Sequence, residues 1–147
     1  MSEIPVYLAL IESASLKGVE RRRRYLFEHG PHELGWSYAN ILDVGGRLLR
    51  QIAGRGFFRL FLYVPRGDSG SVSFRTRITG LTTYRKPVIF NDPVERKRYL
   101  VHSRMMISAI EPLERPMSID SFRSADRRKP DARHLKLGFL FVVDPEP

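Results

Sequence analysis

Residues 5–12, PVYLALIE, are apolar at consecutive positions, the pattern of a strand buried on both faces. A helical register follows. Ser13 or Ser15 is placed to cap a helix running to about Glu28, and Gly30–Pro31 ends it. Its apolar stripe is Leu16, Val19, Leu26 and Phe27, with Arg23 inside the stripe. After residues 35–42 (GWSYANIL), Leu48, Leu49 and Ile52 share one face of a second helical pattern. Gly45–Gly46 leaves its start open, and Gly54 and Gly56 punctuate its end.

Residues 57–64 (FFRLFLYV) read as a second buried strand, and PRGDSG reads as a turn. In residues 71–79, Val72, Phe74, Thr76 and Ile78 alternate with Ser71, Ser73, Arg75, Arg77 and Thr79, which predicts a half-buried strand. Asp92-Pro93-Val94-Glu95 has the composition of a helix start and predicts a short helix ending near Val101. Residues 104–111 read as a strand, 112–122 as a turn plus a short helical piece, 123–134 as a charged loop and 135–143 as a last strand.

About five strands result, with helices after the first and again before the fourth. The expected class is α+β: a small, mostly antiparallel barrel of five to six strands with helices at its rim. The first and last apolar stretches are its interior strands, and residues 1–147 form one domain. An open α+β sandwich is the alternative.

Composition narrows the chemistry. The 147 residues are 42% hydrophobic, enough for a real core, and the formal net charge is +9. Such a charge favours a polyanion, nucleic acid before an anionic membrane surface. Only five of the 25 cations are lysines, and the arginine fork suits phosphates and guanine edges. The absence of cysteine excludes disulfides, thiolate metal sites and cysteine nucleophiles. Without an apolar run of about 18 residues, no membrane span is expected. The acidic start lacks the basic region and small-residue cleavage site of a signal peptide, so the expected compartment is the cytoplasm.

The cations expected along a nucleic-acid backbone are Arg21, Arg23, Arg75, Arg77, Arg85, Lys86, Arg96, Arg98, Arg104, Arg127 and Arg128. The run Arg21 to Arg24 points four ways around a helix, so it is not one basic face. His29, His32 and Glu33 have the spacing of metal ligands on a helix, but Gly30–Pro31 interrupts it, and neither metal nor cofactor is expected.

The order of elements and several short stretches carry a resemblance. They are VYLALIE, Gly-Trp-Ser-Tyr-Ala-Asn at 35–40, an apolar strand reaching Tyr63, and Gly-Asp-Ser-Gly at 67–70. SVSFRTRITGL and ISAIEPLERPMSIDSF follow. The chain resembles the PUA-like superfamily, in particular its EVE and YTH branches. The resemblance implies binding of RNA or DNA, with a modified base held in an aromatic pocket, as in the reader parts of modification-dependent restriction systems. EVE-like domains carry an Arg-Asn pair after the tryptophan; here only Asn40 stands there.

The resemblance makes Trp36, Ser37, Tyr38 and Asn40 the expected pocket, with Tyr63 and Tyr84 added by residue type. A flat indole stacks a base while hydroxyl and amide groups read its edge, and Gly35 lets the chain approach closely. The competing reading puts Trp36 in the core. An enzyme of the ASCH type is the functional alternative, with Thr82, Thr83, Lys86 and Glu111 as its polar residues. The chain can also be part of a longer protein.

Overall fold

A computed structural model describes residues 6–125, Leu135 and residues 139–146. The first apolar run becomes β1 (Leu8–Ser13), and α1 (Leu16–His29) follows. The Ser15 side chain caps α1 by accepting from the Gly18 N–H at 3.1 Å. Gly30, at φ 82°, ends it by donating to the Leu26 carbonyl. The chain then forms β2 (His32–Trp36), α2 (Ile41–Arg55) and β3 (Phe58–Arg66). α2 turns Ile41, Val44, Gly45 and Leu48 inward, and a β-carbon on Gly45 would lie 3.2 Å from the Thr83 Cγ2. That close approach to the sheet explains a glycine inside a helix, where it costs roughly 0.5–1 kcal/mol relative to alanine.

The turn expected at PRGDSG joins β3 to β4 (Ser69–Asn91), and β4 folds back as β5 (Arg98–Met117). A short 3₁₀ turn at Ile119–Ser121 and β6 (Phe139–Val143) complete the described elements. Among the described residues the architecture is α+β: one mixed six-stranded sheet in the order β2-β5-β4-β3-β1-β6, with two helices. β1 runs parallel to β3 and antiparallel to β6. Among the described residues β2 and β6 end the order and are not joined. β1 is therefore an interior strand and β6 an end strand.

Each face of the sheet has its own core. Leu10, Trp36, Leu48, Phe58, Leu60 and Ile107 belong to one cluster with the inward sides of α1 and α2. Ile11, Phe61, Val72, Phe122 and Val142 belong to the other. Both faces of β1 and β3 are thus covered, which is why their sequences are continuously apolar.

The helix expected after Asp92 is instead the turn of the β4–β5 hairpin. Asp92 does cap: its Oδ1 accepts from the Val94 and Glu95 N–H groups at 2.9 and 3.2 Å. The Asp92 carbonyl next accepts from Arg96 N–H, and the Asp92 N–H donates to the Lys97 carbonyl. Arg96 reverses the chain at φ 53°. Beyond it Tyr99, Val101, Ser103, Met105 and Ile107 alternate inward, the period of a strand. Arg85 and Lys86, expected in a loop, lie within β4 beside a register shift between Thr83 and Val88. The helical piece expected within 112–122 shrinks to the 3₁₀ turn because β5 continues to Met117.

Candidate functional site: a carboxyl–guanidinium cavity beneath the first helix

Ser15, Gly18, Val19 and Arg22 recur at helical spacing and turn one side of α1 toward the sheet. Between them and the strands lies a cavity of about 200 Å³. Leu34 of β2, Leu60 and Leu62 of β3, and Ile107 and Ile110 of β5 supply apolar wall. Glu12 at the exit of β1, Thr76 of β4, Arg22, and Glu95 from the hairpin turn supply polar groups.

The hairpin turn is fastened to α1 by ion pairs. Arg22 Nη2 donates to Asp92 Oδ2 at 2.9 Å, and Arg21 Nη1 donates to Glu95 Oε2 at 2.7 Å. The Asp92 side chain is 1% exposed and also accepts from the Tyr99 hydroxyl at 3.1 Å. Burial alone would raise the Asp92 pKa. The Arg22 guanidinium and the Val94 and Glu95 N–H groups outweigh burial and hold it below the usual range. Burial, followed by the Asp92 charge, pushes the Tyr99 hydroxyl upward, so it stays a donor.

Glu12 behaves oppositely. Desolvation raises its pKa from 4.5 to about 7, against the pull of Arg22. Arg22 is already paired with Asp92, which leaves Glu12 an incomplete counter-charge. Its guanidinium is not saturated either: Nη1 is buried without a hydrogen-bond partner among the described residues, and so is the Thr76 Oγ1. The cavity thus lies against a carboxyl poised between two protonation states, and two of its lining residues, Arg22 and Thr76, carry a buried N–H group and a buried hydroxyl without a partner among the described residues. Spare buried polar atoms are costly unless a water or ligand meets them.

His32 lies nearby on β2, its Nδ1 3.1 Å from the Gly30 carbonyl. Desolvation lowers its pKa, which favours the neutral imidazole. His29 and Glu33 do not join it: His29 is exposed beside Glu28, and Glu33 faces Arg104 at 3.5 Å.

The residues expected around a base are dispersed. Trp36 is 1% exposed inside the core, edge-on to Tyr38 with ring centres 5.3 Å apart. Tyr38 packs against the helix-side core, and burial and then the Glu12 charge raise its pKa. Ser37 and Asn40 are exposed, with Asn40 at the start of α2. Tyr63 packs beside the second core on the other face of the sheet. Tyr84 accepts from Arg104 Nε at 2.7 Å in the far half of the hairpin. Gly35 makes its close approach to the hairpin: a β-carbon would lie 2.5 Å from Phe90 and 2.8 Å from Val101.

Among the expected phosphate contacts, Arg23 is exposed and sits 5.7 Å above the Phe74 ring, while its neighbour Arg22 turns inward. Leu16 and Phe27 are 41% and 93% exposed, so the buried stripe runs through Val19, Arg22 and Leu26. Arg85, Lys86, Arg96, Arg98 and Arg104 share the far half of the hairpin, and Arg96 follows directly on the cavity-lining Glu95. Arg75 and Arg77 project from the opposite face. Arg127 and Arg128 lie outside the described residues. Thr82 and Thr83 pair with Arg104 and Ser103, whereas Glu111 pairs with Arg75. Seven to eight residues of strand, roughly 23–26 Å, separate them.

Glu12, Arg22 and Thr76 were not singled out by sequence. The helical spacing of Ser15, Gly18, Val19 and Arg22 was the available signal for Arg22. Nothing local marks Glu12. Among the described residues no helix is long and apolar enough to cross a membrane. No protein-family model matches this chain, and the searches of curated proteins and of solved structures return no match.

Proposed function

We propose that this chain is a nucleic-acid-binding domain that takes one base into the Glu12–Arg22–Thr76 cavity. The observation that carries the reading is a cavity with apolar walls, the Glu12 carboxyl against it, and unsatisfied polar groups on its lining residues Arg22 and Thr76. Its volume is about 200 Å³, and an apolar cavity of roughly 150 Å³ holds benzene, so one heterocyclic ring is the right class of occupant. A base edge mixes donors and acceptors. Glu12, with a pKa of about 7, accepts when ionised and both donates and accepts when protonated. Arg22 Nη1 adds a donor, and Thr76 adds a hydroxyl. The exposed Arg96, Lys97 and Arg98 beside Glu95 then meet the phosphates on either side.

The PUA-like resemblance, closure of the sheet as a barrel, and recognition of a modified base belong to this proposal. The base site of this proposal is the cavity lined by Glu12, Arg22 and Thr76 rather than the surroundings of the buried Trp36. The test is an array of methylated and unmodified DNA and RNA oligonucleotides, read at several salt concentrations. Base-dependent affinity with a log–log salt slope of about −0.7 to −0.9 per phosphate supports the reading. Absence of binding at low salt overturns it.

A hydrolytic reading comes second. It rests on Glu12, a carboxyl lining the cavity whose pKa of about 7 suits a general base at neutral pH. Turnover of nucleosides or oligonucleotides, abolished by Glu12→Gln, would favour it over the binding module.

A further inference from the structure

The face of the sheet turned away from the cavity holds a second concentration of charge. Arg59 on β3 stands directly opposite Arg77 on β4, and Arg75 lies two residues along the same face. Like charges directly opposite on neighbouring strands destabilise a sheet, so this arrangement calls for an anion. The segment after β6 supplies one. Asp144, its side chain fully buried, accepts from Arg55 Nη2 at 3.0 Å and Arg59 Nη1 at 2.8 Å. Glu146 reaches further: its carbonyl accepts from Arg59 Nη1, and its carboxylate lies 2.5 Å from Arg75 Nη1 and 3.5 Å from Arg59 Nε. Glu111 stands on the other side of Arg75 at 3.5 Å. Arg77, with no ion pair among the described residues, lies over the Phe57 ring at 4.0 Å. Phe57, Arg59, Arg75, Arg77, Glu111 and Glu146 border a groove of about 260 Å³.

We propose that this groove is a phosphate site and that Glu146 is its built-in competitor, holding it closed until a phosphodiester displaces the carboxylate. Asp144 fixes Arg55 and Arg59 permanently, because it is buried between them. Glu146 lines the groove with its side chain 35% exposed, and its removal leaves Arg59, Arg75 and Arg77 facing one space with Glu111 still beside Arg75. Arginine forks converging on two oxygens match phosphate at least as well as carboxylate. The inference rests on the nucleic-acid reading for the source of the phosphate, and on the arginine geometry for the site itself.

The test compares inorganic pyrophosphate and a short single-stranded oligonucleotide on the unaltered chain, on Glu146→Gln, and on Glu146→Gln with Arg75→Ala, each checked for folding by circular dichroism. With the groove open about a tenth of the time, Glu146→Gln gains about tenfold in affinity for both ligands. Arg75→Ala cancels the gain. On the unaltered chain, the Glu146 amide, which donates to Asp144 Oδ1 at 2.8 Å, exchanges faster once pyrophosphate saturates the groove. A gain for pyrophosphate with no oligonucleotide binding by any variant upholds the groove and its competitor and overturns the nucleic-acid source. Oligonucleotide binding that Glu146→Gln leaves unchanged overturns the inference while sparing the nucleic-acid reading. An unchanged Glu146 exchange rate under saturating pyrophosphate also overturns it, whether or not the variants fold.

Discussion

Replacing Glu12 by glutamine removes an ionisable proton while keeping the shape of the side chain, and its effect on stability must reverse with pH. Folding raises the Glu12 pKa from 4.5 to about 7. A raised folded-state pKa means that the folded chain binds the proton more tightly than the unfolded chain. The stability from this group is therefore complete below about pH 4.5 and lost as pH rises through about 7. At 1.36 kcal/mol for each tenfold change, the full loss is about 3 kcal/mol. Glutamine carries no such penalty. Glu12→Gln should match the parent near pH 4 and exceed its thermal midpoint by roughly 6–12 °C near pH 9, at about 2–4 °C per kcal/mol for a domain of this size. His32 and Asp92 weaken the fold on the acid side, since both pKa values are lowered by folding. They do so equally in both proteins, so the difference isolates Glu12. The assay is thermal unfolding by circular dichroism across pH. A midpoint difference that does not change with pH would refute the reasoning.

Three further outcomes are expected. Arg22→Met should cost about 3–5 kcal/mol in urea unfolding, because it leaves the Asp92 carboxylate buried without a cation. Trp36→Ala should cost about 3–5 kcal/mol, the penalty of a large core truncation; a variant as stable as the parent would show that the indole is not core. Arg96→Gly should stabilise by about 0.5–1 kcal/mol, because φ 53° suits glycine better than arginine. If Arg96 touches a phosphate, the same change flattens the salt slope of nucleic-acid binding by about 0.7–0.9.

The sequence announced those parts of the fold whose side chains answer to their nearest neighbours. β1 and β3 read as buried strands because both of their faces are covered, and α1 carried a cap in Ser15 and a stop in Gly30. Asp92 misled because a capping side chain satisfies the same N–H groups in a single turn as in the first turn of a helix. The alternation from Tyr99 to Ile107 was the better guide there. The candidate site was less legible. Arg22 differs from Arg21, Arg23 and Arg24 only because a turn 70 residues away places Asp92 against it. Glu12 lies near the end of an apolar strand, where a carboxylate ordinarily meets water, and burial in the fold desolvates it. In the sequence Trp36 and Gly35 suit a ligand, but the space around them is filled by the β4–β5 hairpin and the helix-side core.

The central claim is that a base lies against the Glu12 carboxyl, and the ¹³C resonance of that carboxyl measures it. Titrated with pH in the free chain, the resonance should give a pKa of about 7. Titrated with the tightest-binding oligonucleotide of the array present, the pKa should move by about one or more, because a hydrogen-bonded base edge favours one protonation state over the other. The salt-sensitive phosphate contacts alone would leave it where it was. An oligonucleotide that binds with the Glu12 titration unchanged would contradict the account.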